Sequence, residues 1–182
     1  AQNSFQVMLY EYKEGLNKYF SSLGEDAPVK NLEELIKLNE QDSFELKYFN
    51  QAYLKMAQKK SGLDSKEYLN ALSGLKKMSQ KLGIDRIMNE YNLDAIIAAT
   101  GSPAWTTDLI NGDNYHISSS SPAAWAGYPN ISVPMGNIHG LPVGLSFFGR
   151  AWSEPTLIEI CYGFEQATKS RTIPTYRAND ES

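Results

Sequence analysis

The chain has 182 residues, 42% hydrophobic and 21% charged, with a formal net charge of −4. That length carries one compact domain with a core, and the acidic balance argues against nucleic acid or an anionic membrane as partner. Cys161 is the single cysteine, which excludes a disulfide framework or a Cys-x-x-Cys metal site and fits a reducing cytoplasm, and no apolar run approaches the roughly 20 residues that span a bilayer.

The opening AQNSFQVMLYEYKEG has neither the charged head nor the apolar stretch of a signal peptide, and it enters a helical pattern almost at once. Phe5, Leu9, Tyr12, Leu16, Tyr19 and Phe20 recur at helical spacing, and Gly24 is the expected stop. Asn31-Leu-Glu-Glu34 has the form of a capping box, with Asn31 serving the orphan N–H groups and Glu34 reaching back; it opens the short helix LEELIKLN. Asp64-Ser-Lys-Glu67 repeats the pattern ahead of a longer helix carrying Tyr68, Leu72, Leu75, Leu82, Ile87 and Met88, with Gly74 and Gly83 as candidate breaks. Most lysines lie on these helices and read as their solvated faces.

Near residue 92 the character changes. Residues 1–92 hold all the lysines but Lys169 and, of the prolines, Pro28 alone, and they read as helices. Residues 93–182 hold the other seven prolines and all three tryptophans, and they read as strands, turns and a closing helix. LDAIIAAT (93–100) suits a strand buried on both faces. Ile131, Val133 and Met135 alternate, as do Val143, Leu145 and Phe147, with a turn between Gly136 and Pro142, so a hairpin is predicted. Pro134 confines its strand to an edge or an irregular stretch. Ser153-Glu-Pro155 starts the final helix, with Leu157, Cys161, Phe164 and Thr168 on one face and Lys169 and Arg171 at its C-terminal dipole. Three strands are few for a sheet covered by at least four helices, which points to further strands outside this chain.

The four serines Ser118–Ser121 invite a nucleophile reading, and His116 stands two residues away. Neither G-x-S-x-G nor S-x-x-K occurs, however, and Ser121-Pro122 reads as a helix start followed by the small packing residues Ala123, Ala124, Ala126 and Gly127. Two histidines and one cysteine leave no metal-ligand spacing. TTDLINGDNYH is dense in turn formers around Asp108, Asp113 and Asn114, which makes it a loop with some prospect of touching a ligand.

The block Ser118–Pro174, SSSSPAAWAGYPNISVPMGNIHGLPVGLSFFGRAWSEPTLIEICYGFEQATKSRTIP, resembles the C-terminal region of the amidase signature family. That region shows A-G-Y-P leading into a strand, V-P-x-G at a strand end, G-L-P-x-G-x-x-x-x-G-R, and a closing helix with E-Q-A before a proline. LDAIIAATGSPAW, YEYKEGLNKYF, VKNLEELIKLNEQ and KYFNQAYLKMA are similar to other segments of the family, so the resemblance covers nearly the whole chain.

The resemblance implies an α/β fold, with a mainly helical 1–92 followed by part of a mixed β-sheet, loops and a closing helix in 93–182, together forming the C-terminal portion of one amidase domain. Family members hydrolyse linear amides with a Ser–cis-Ser–Lys triad set in a glycine- and serine-rich loop, without metal or organic cofactor. No such loop is present here, so no catalytic residue is carried over and the isolated chain is expected to be inactive. The expected partners are the missing N-terminal half and a small amide substrate, with self-association through the uncovered apolar surface. The expected contribution is a cleft wall lined by Trp105, Asp113, Asn114, Ser119, Ser120 and Trp125. The competing expectation is a non-catalytic binding or assembly module that completes a site in another chain, and a weaker one is a hydrolase site at Ser118 and His116.

Overall fold

The computed structural model describes residues 2–174, which form a mixed α/β chain of two compact units meeting at Met78/Ser79. In the first unit, helix α1 (Gln2–Ser22) is followed by α2 (Leu32–Gln41), a single 3₁₀ turn (Glu45–Lys47), α3 (Ala52–Gln58) and α4 (Lys66–Ser79). Helix α1 buries two sides. Leu9, with Phe5 and Leu16, packs on Leu32, Ile36 and Ala57, while Val7 and Tyr10 pack on Tyr68, Ala71 and Leu75. The predicted stripe is therefore corrected: Tyr12 and Tyr19 are exposed, and Val7 and Tyr10, off that stripe, are core. A helix packed on two sides has no single apolar face to read.

Of the two expected caps, the first keeps its residue and the second shifts by one. Asn31 caps α2, accepting from the Glu34 N–H at 3.0 Å. Glu34 reaches back, but to the N–H of Lys30 at 2.7 Å and to the Asn31 side chain at 3.0 Å. At α4 the cap is Ser65 rather than Asp64, its hydroxyl accepting from the Tyr68 N–H at 3.3 Å. This frees Glu67 to accept from the Tyr10 hydroxyl at 2.8 Å and to pair with Lys60 at 3.1 Å. Lys13 and Lys60 depart from the solvated-face reading. Lys13 donates to the carbonyls of Gln58 and Lys60 just past α3, which satisfies groups a helix end leaves open. Buried Gln51 accepts from Asn39 at 3.0 Å and donates to the Ile36 carbonyl at 3.2 Å, tying α2 to α3.

The second unit begins with a π-turn (Gln80–Ile84) leading into α5 (Asp85–Glu90), so the break falls at Gly83 and not at Gly74. Strand β1 (Ile96–Ala99), helix α6 (Ser120–Ala126), strands β2 (Asn130–Ile138) and β3 (Leu141–Phe148), and helix α7 (Glu154–Thr168) follow. The sheet is antiparallel in the order β1-β3-β2. Helix α7 covers one face, with Leu157 and Cys161 against Val133 and Phe147. The other face carries Ile84 and Met88 with Ala123, Ala126 and Phe148.

The hairpin forms as predicted, through a tighter turn: His139 and Gly140 have φ of +51° and +80°, the two positive values a two-residue type I′ connection needs. Pro134 sits on an edge strand, and the register slips between Pro134 and Gly136. That bulge ends the alternation, so Met135 is exposed instead of following Val133 inward. The strand buried on both faces is β3, where Ser146, Phe147 and Phe148 are all buried, and not 93–100. β1 lies at the edge of the sheet, and its Ile97 is 60% exposed.

Candidate cleft wall

Every residue that the sequence nominates for a site lies in the second unit, on the long connection from β1 to α6 and on α6 itself. The neck of that connection is tied three times. Gly101 bridges Ser118, the Ser119 N–H donates to the Thr100 carbonyl at 3.3 Å, and the Ser102 hydroxyl accepts from the N–H groups of His116 and Ile117 at 3.2 and 3.3 Å. The tip is tied by Asp108, whose carboxylate accepts from the N–H groups of Ile110 and Asn111 and from the Asn111 side chain, each at 2.8 Å. Those donors, the Asn111 N–H foremost, hold the Asp108 carboxyl below the usual carboxylate range. A loop of this length with closed ends and its own internal bonds has the form of an Ω-loop, a class often tied to function.

Within the loop, Trp105 and Asp113 meet: the indole N–H donates to the Asp113 carboxylate at 3.2 Å. Tyr115, which no sequence pattern marks, completes this group. Its ring stands 6.2 Å from that of Trp105 at 77°, an edge-on pair. The spacing of Trp105, Asp113 and Tyr115 has no period, and only the density of turn formers between them signals a closed loop. Asn114 is exposed and makes no side-chain hydrogen bond among the described residues.

The serine run is arranged differently from the sequence reading. Helix α6 starts at Ser120 with Ser119 as its N-cap, so Ser121 and Pro122 lie inside the first turn. The Ser119 hydroxyl is buried and caps nothing. Ser118 and Ser120 share a hydroxyl–hydroxyl contact at 3.1 Å, and among the described residues Ser118 makes no hydrogen bond to the His116 ring. Trp125 is 36% exposed, on α6 beside the buried Ala123 and Ala126. No hydrogen bond or ring contact among the described residues joins the Trp105 group to Trp125 or to the serines.

At the end of β1 the Thr100 hydroxyl lies 2.6 Å from that of Ser132 and 2.9 Å from that of Ser146. Three strands thus share one hydroxyl cluster, and nothing in the sequence marks it beyond strand alternation. Gly144 lies beneath it: a Cβ there would stand 2.7 Å from Ser132 Oγ and 2.8 Å from Thr100 Oγ1. Among the described residues no group of three or more His, Cys, Asp or Glu is placed to hold a metal ion. No described helix is long and apolar enough to cross a membrane.

Residues 1–158 match the amidase family model. A probable amidase from Arabidopsis thaliana is 38% identical over 175 residues, which is 94% of this chain and 30% of that protein. Among solved structures, the native peptide amidase of Stenotrophomonas maltophilia superposes with a TM-score of 0.86 at 40% identity, covering 97% of this chain and 35% of that one. An amidase family protein from Bacillus anthracis gives 0.72 at 29% identity, covering 94% and 30%. The chain therefore spans about a third of the length of these relatives. With the family model matched over most of its residues, this chain belongs to the amidase family.

Proposed function

We propose that residues 1–182 are the C-terminal portion of an amidase that hydrolyses linear amides to a carboxylate and an amine or ammonia. The observation that carries the reading is the pairing of near-complete coverage of this chain with about a third of the peptide amidase it resembles. The nucleophile, its base and the oxyanion donors then belong to the N-terminal half of the same domain, which is this chain's main partner. In the family's scheme a lysine takes the proton of a bridging serine, the nucleophilic serine forms an acyl-enzyme, and water releases the acid. This chain's part is to wall the cleft with Trp105, Asp113, Asn114, Ser119, Ser120 and Trp125. By itself it turns over no amide, because a wall without nucleophile and oxyanion donors offers little acceleration. The reading invokes no cofactor, and places the protein in the cytoplasm, consistent with a buried, unpaired Cys161.

The test is ammonia release from a panel of simple primary amides. Purified 1–182 is compared with the same chain joined to its upstream coding sequence. Activity confined to the joined protein is the expected result. Activity of 1–182 alone would overturn the reading and return attention to Ser118 and His116.

A further inference from the structure

Trp105 and Tyr115 form a corner. Their rings stand at 77° with centroids 6.2 Å apart, and they are 38% and 60% exposed. Two aromatic planes set nearly at right angles leave a ring face free beside a ring edge, the arrangement into which a third ring fits edge-on or offset. Asp113 fixes the orientation of the indole by taking its N–H at 3.2 Å. With that donor engaged, Trp105 offers a visitor a π face and apolar area, and no hydrogen bond.

Charge narrows the ligand further. Between Arg86 and Arg150 the sequence has no lysine or arginine, and its charged residues are Glu90, Asp94, Asp108 and Asp113. The loop that carries the corner thus bears Asp108 and Asp113 with neither lysine nor arginine, and His116 is its one basic side chain. A carboxylate brought there meets like charge and has no lysine or arginine of that stretch to pair with.

We propose that the Trp105–Tyr115 corner receives the aryl or other flat apolar group of an uncharged amide substrate and disfavours the corresponding carboxylate, with Asp113 as the positioning residue for Trp105. The identity of the ligand as an amide rests on the amidase reading. The binding preference itself is open to test on this chain alone.

Trp125→Phe and Trp152→Phe together leave Trp105 as the sole indole. Its emission is followed while N-acetyl-phenylalaninamide, N-acetyl-alaninamide or N-acetyl-phenylalanine is titrated in. The phenylalaninamide is expected to give a saturable change, with the alaninamide needing about 10-fold more ligand, as one aromatic contact is lost, and the free acid weaker than its amide. Tyr115→Ala and Asp113→Leu should abolish the preference for the phenylalaninamide over the alaninamide, whereas Asp113→Asn, whose amide oxygen still accepts the indole N–H, should keep that aryl preference and ease only the bias against the free acid. A merely structural Asp113 would respond alike to both replacements.

Saturation-transfer NMR on the unsubstituted chain against Trp105→Ala gives the same answer where the double Phe variant folds poorly. The expected result is transfer to the aryl protons that disappears with Trp105. Equal response to all three ligands, no response in either measurement, or a preference that survives Tyr115→Ala overturns the proposal. The two readings fail separately. Hydrolysis by the joined protein with an aryl preference indifferent to Trp105 removes the corner and leaves the amidase, whereas aryl-amide binding at Trp105 without hydrolysis by the joined protein does the reverse.

Discussion

A Cβ on Gly144 would stand 2.8 Å from the hydroxyl oxygen of Thr100 and 3.2 Å from its Cβ. Those atoms belong to neighbouring strands whose register is set by the Thr100 N–H donating to the Gly144 carbonyl at 2.8 Å. Neither strand can retreat without breaking that bond. Gly144→Ala is therefore expected to cost about 1–3 kcal/mol, the usual range for overpacking a well-filled site. Urea unfolding measures it, and Ser132→Ala in the same background should recover part of the loss by removing the other close oxygen, at 2.7 Å.

Gly74 gives the opposite expectation from a similar distance. Its added Cβ meets only the amide tip of Asn3, at 2.6 Å, and a side-chain tip can swing aside. Gly74 lies inside α4, where alanine is better than glycine by about 1 kcal/mol. Gly74→Ala should be neutral to stabilising by up to about that amount, and thermal unfolding of the two alanine variants side by side tests the contrast.

Leu157 is wholly buried between α7 and the sheet, against Val133, Phe147 and Cys161. Leu157→Ala should cost about 2–5 kcal/mol through lost contacts and the cavity left behind. Its neighbour Ile158 is 58% exposed, so Ile158→Ala should stay within about 0.5 kcal/mol. Denaturant midpoints of the pair report whether α7 docks in this orientation.

The Glu67 carboxyl is held below the ordinary carboxylate range, first by the Tyr10 hydroxyl and then by Lys60. A depressed carboxyl adds stability above its unfolded pKa, and that contribution is lost as pH falls through the lower folded value. The folded chain should therefore weaken as pH drops below about 4.3, the unperturbed glutamate value. Glu67→Gln should flatten that part of the profile and leave the slope near neutrality unchanged.

Burial, and after it the charge of Glu165, pushes the Cys161 thiol above its ordinary pKa. Thiolate is the reactive form, so native Cys161 should react with a disulfide reagent near pH 8 more slowly than in the urea-unfolded chain by more than about tenfold. Reaction at the unfolded rate would place the thiol outside the core.

What the sequence discloses divides along physical lines. Most signals confined to a few neighbouring residues hold, although Ser65 caps α4 in place of Asp64 and α6 starts behind Ser119 in place of Ser121. Asn31 caps α2, the hairpin forms around His139-Gly140, and Ser153-Glu-Pro155 opens α7. Signals that depend on what an element packs against mislead. α1 hides Val7 and Tyr10 because a second helix lies against it, and β1 looks central because four small or branched apolar residues resemble any buried strand. Helix α3 escapes notice since its seven residues, Ala52–Gln58, show one fully buried side chain, Ala57. In the loop, composition points to Asp113 and Trp105 and passes over Tyr115, because ring pairs across ten residues of coil follow no period. The family likeness of the second half needs only local motifs, and for that reason it is the most legible feature.

The strand order β1-β3-β2 carries a consequence for synthesis. β1 precedes its partner, β3, by more than forty residues, and that partner pairs with β2 as well. A ribosome therefore releases Ile96–Ala99 before β3 exists to receive it, while β2 and β3 can zip together as soon as Phe148 emerges. The hairpin is the template, and β1 is a latecomer that must close a long loop against chain entropy. Until it does, an apolar stretch with open backbone hydrogen bonds stands exposed on the nascent chain, the kind of segment that a holding chaperone captures.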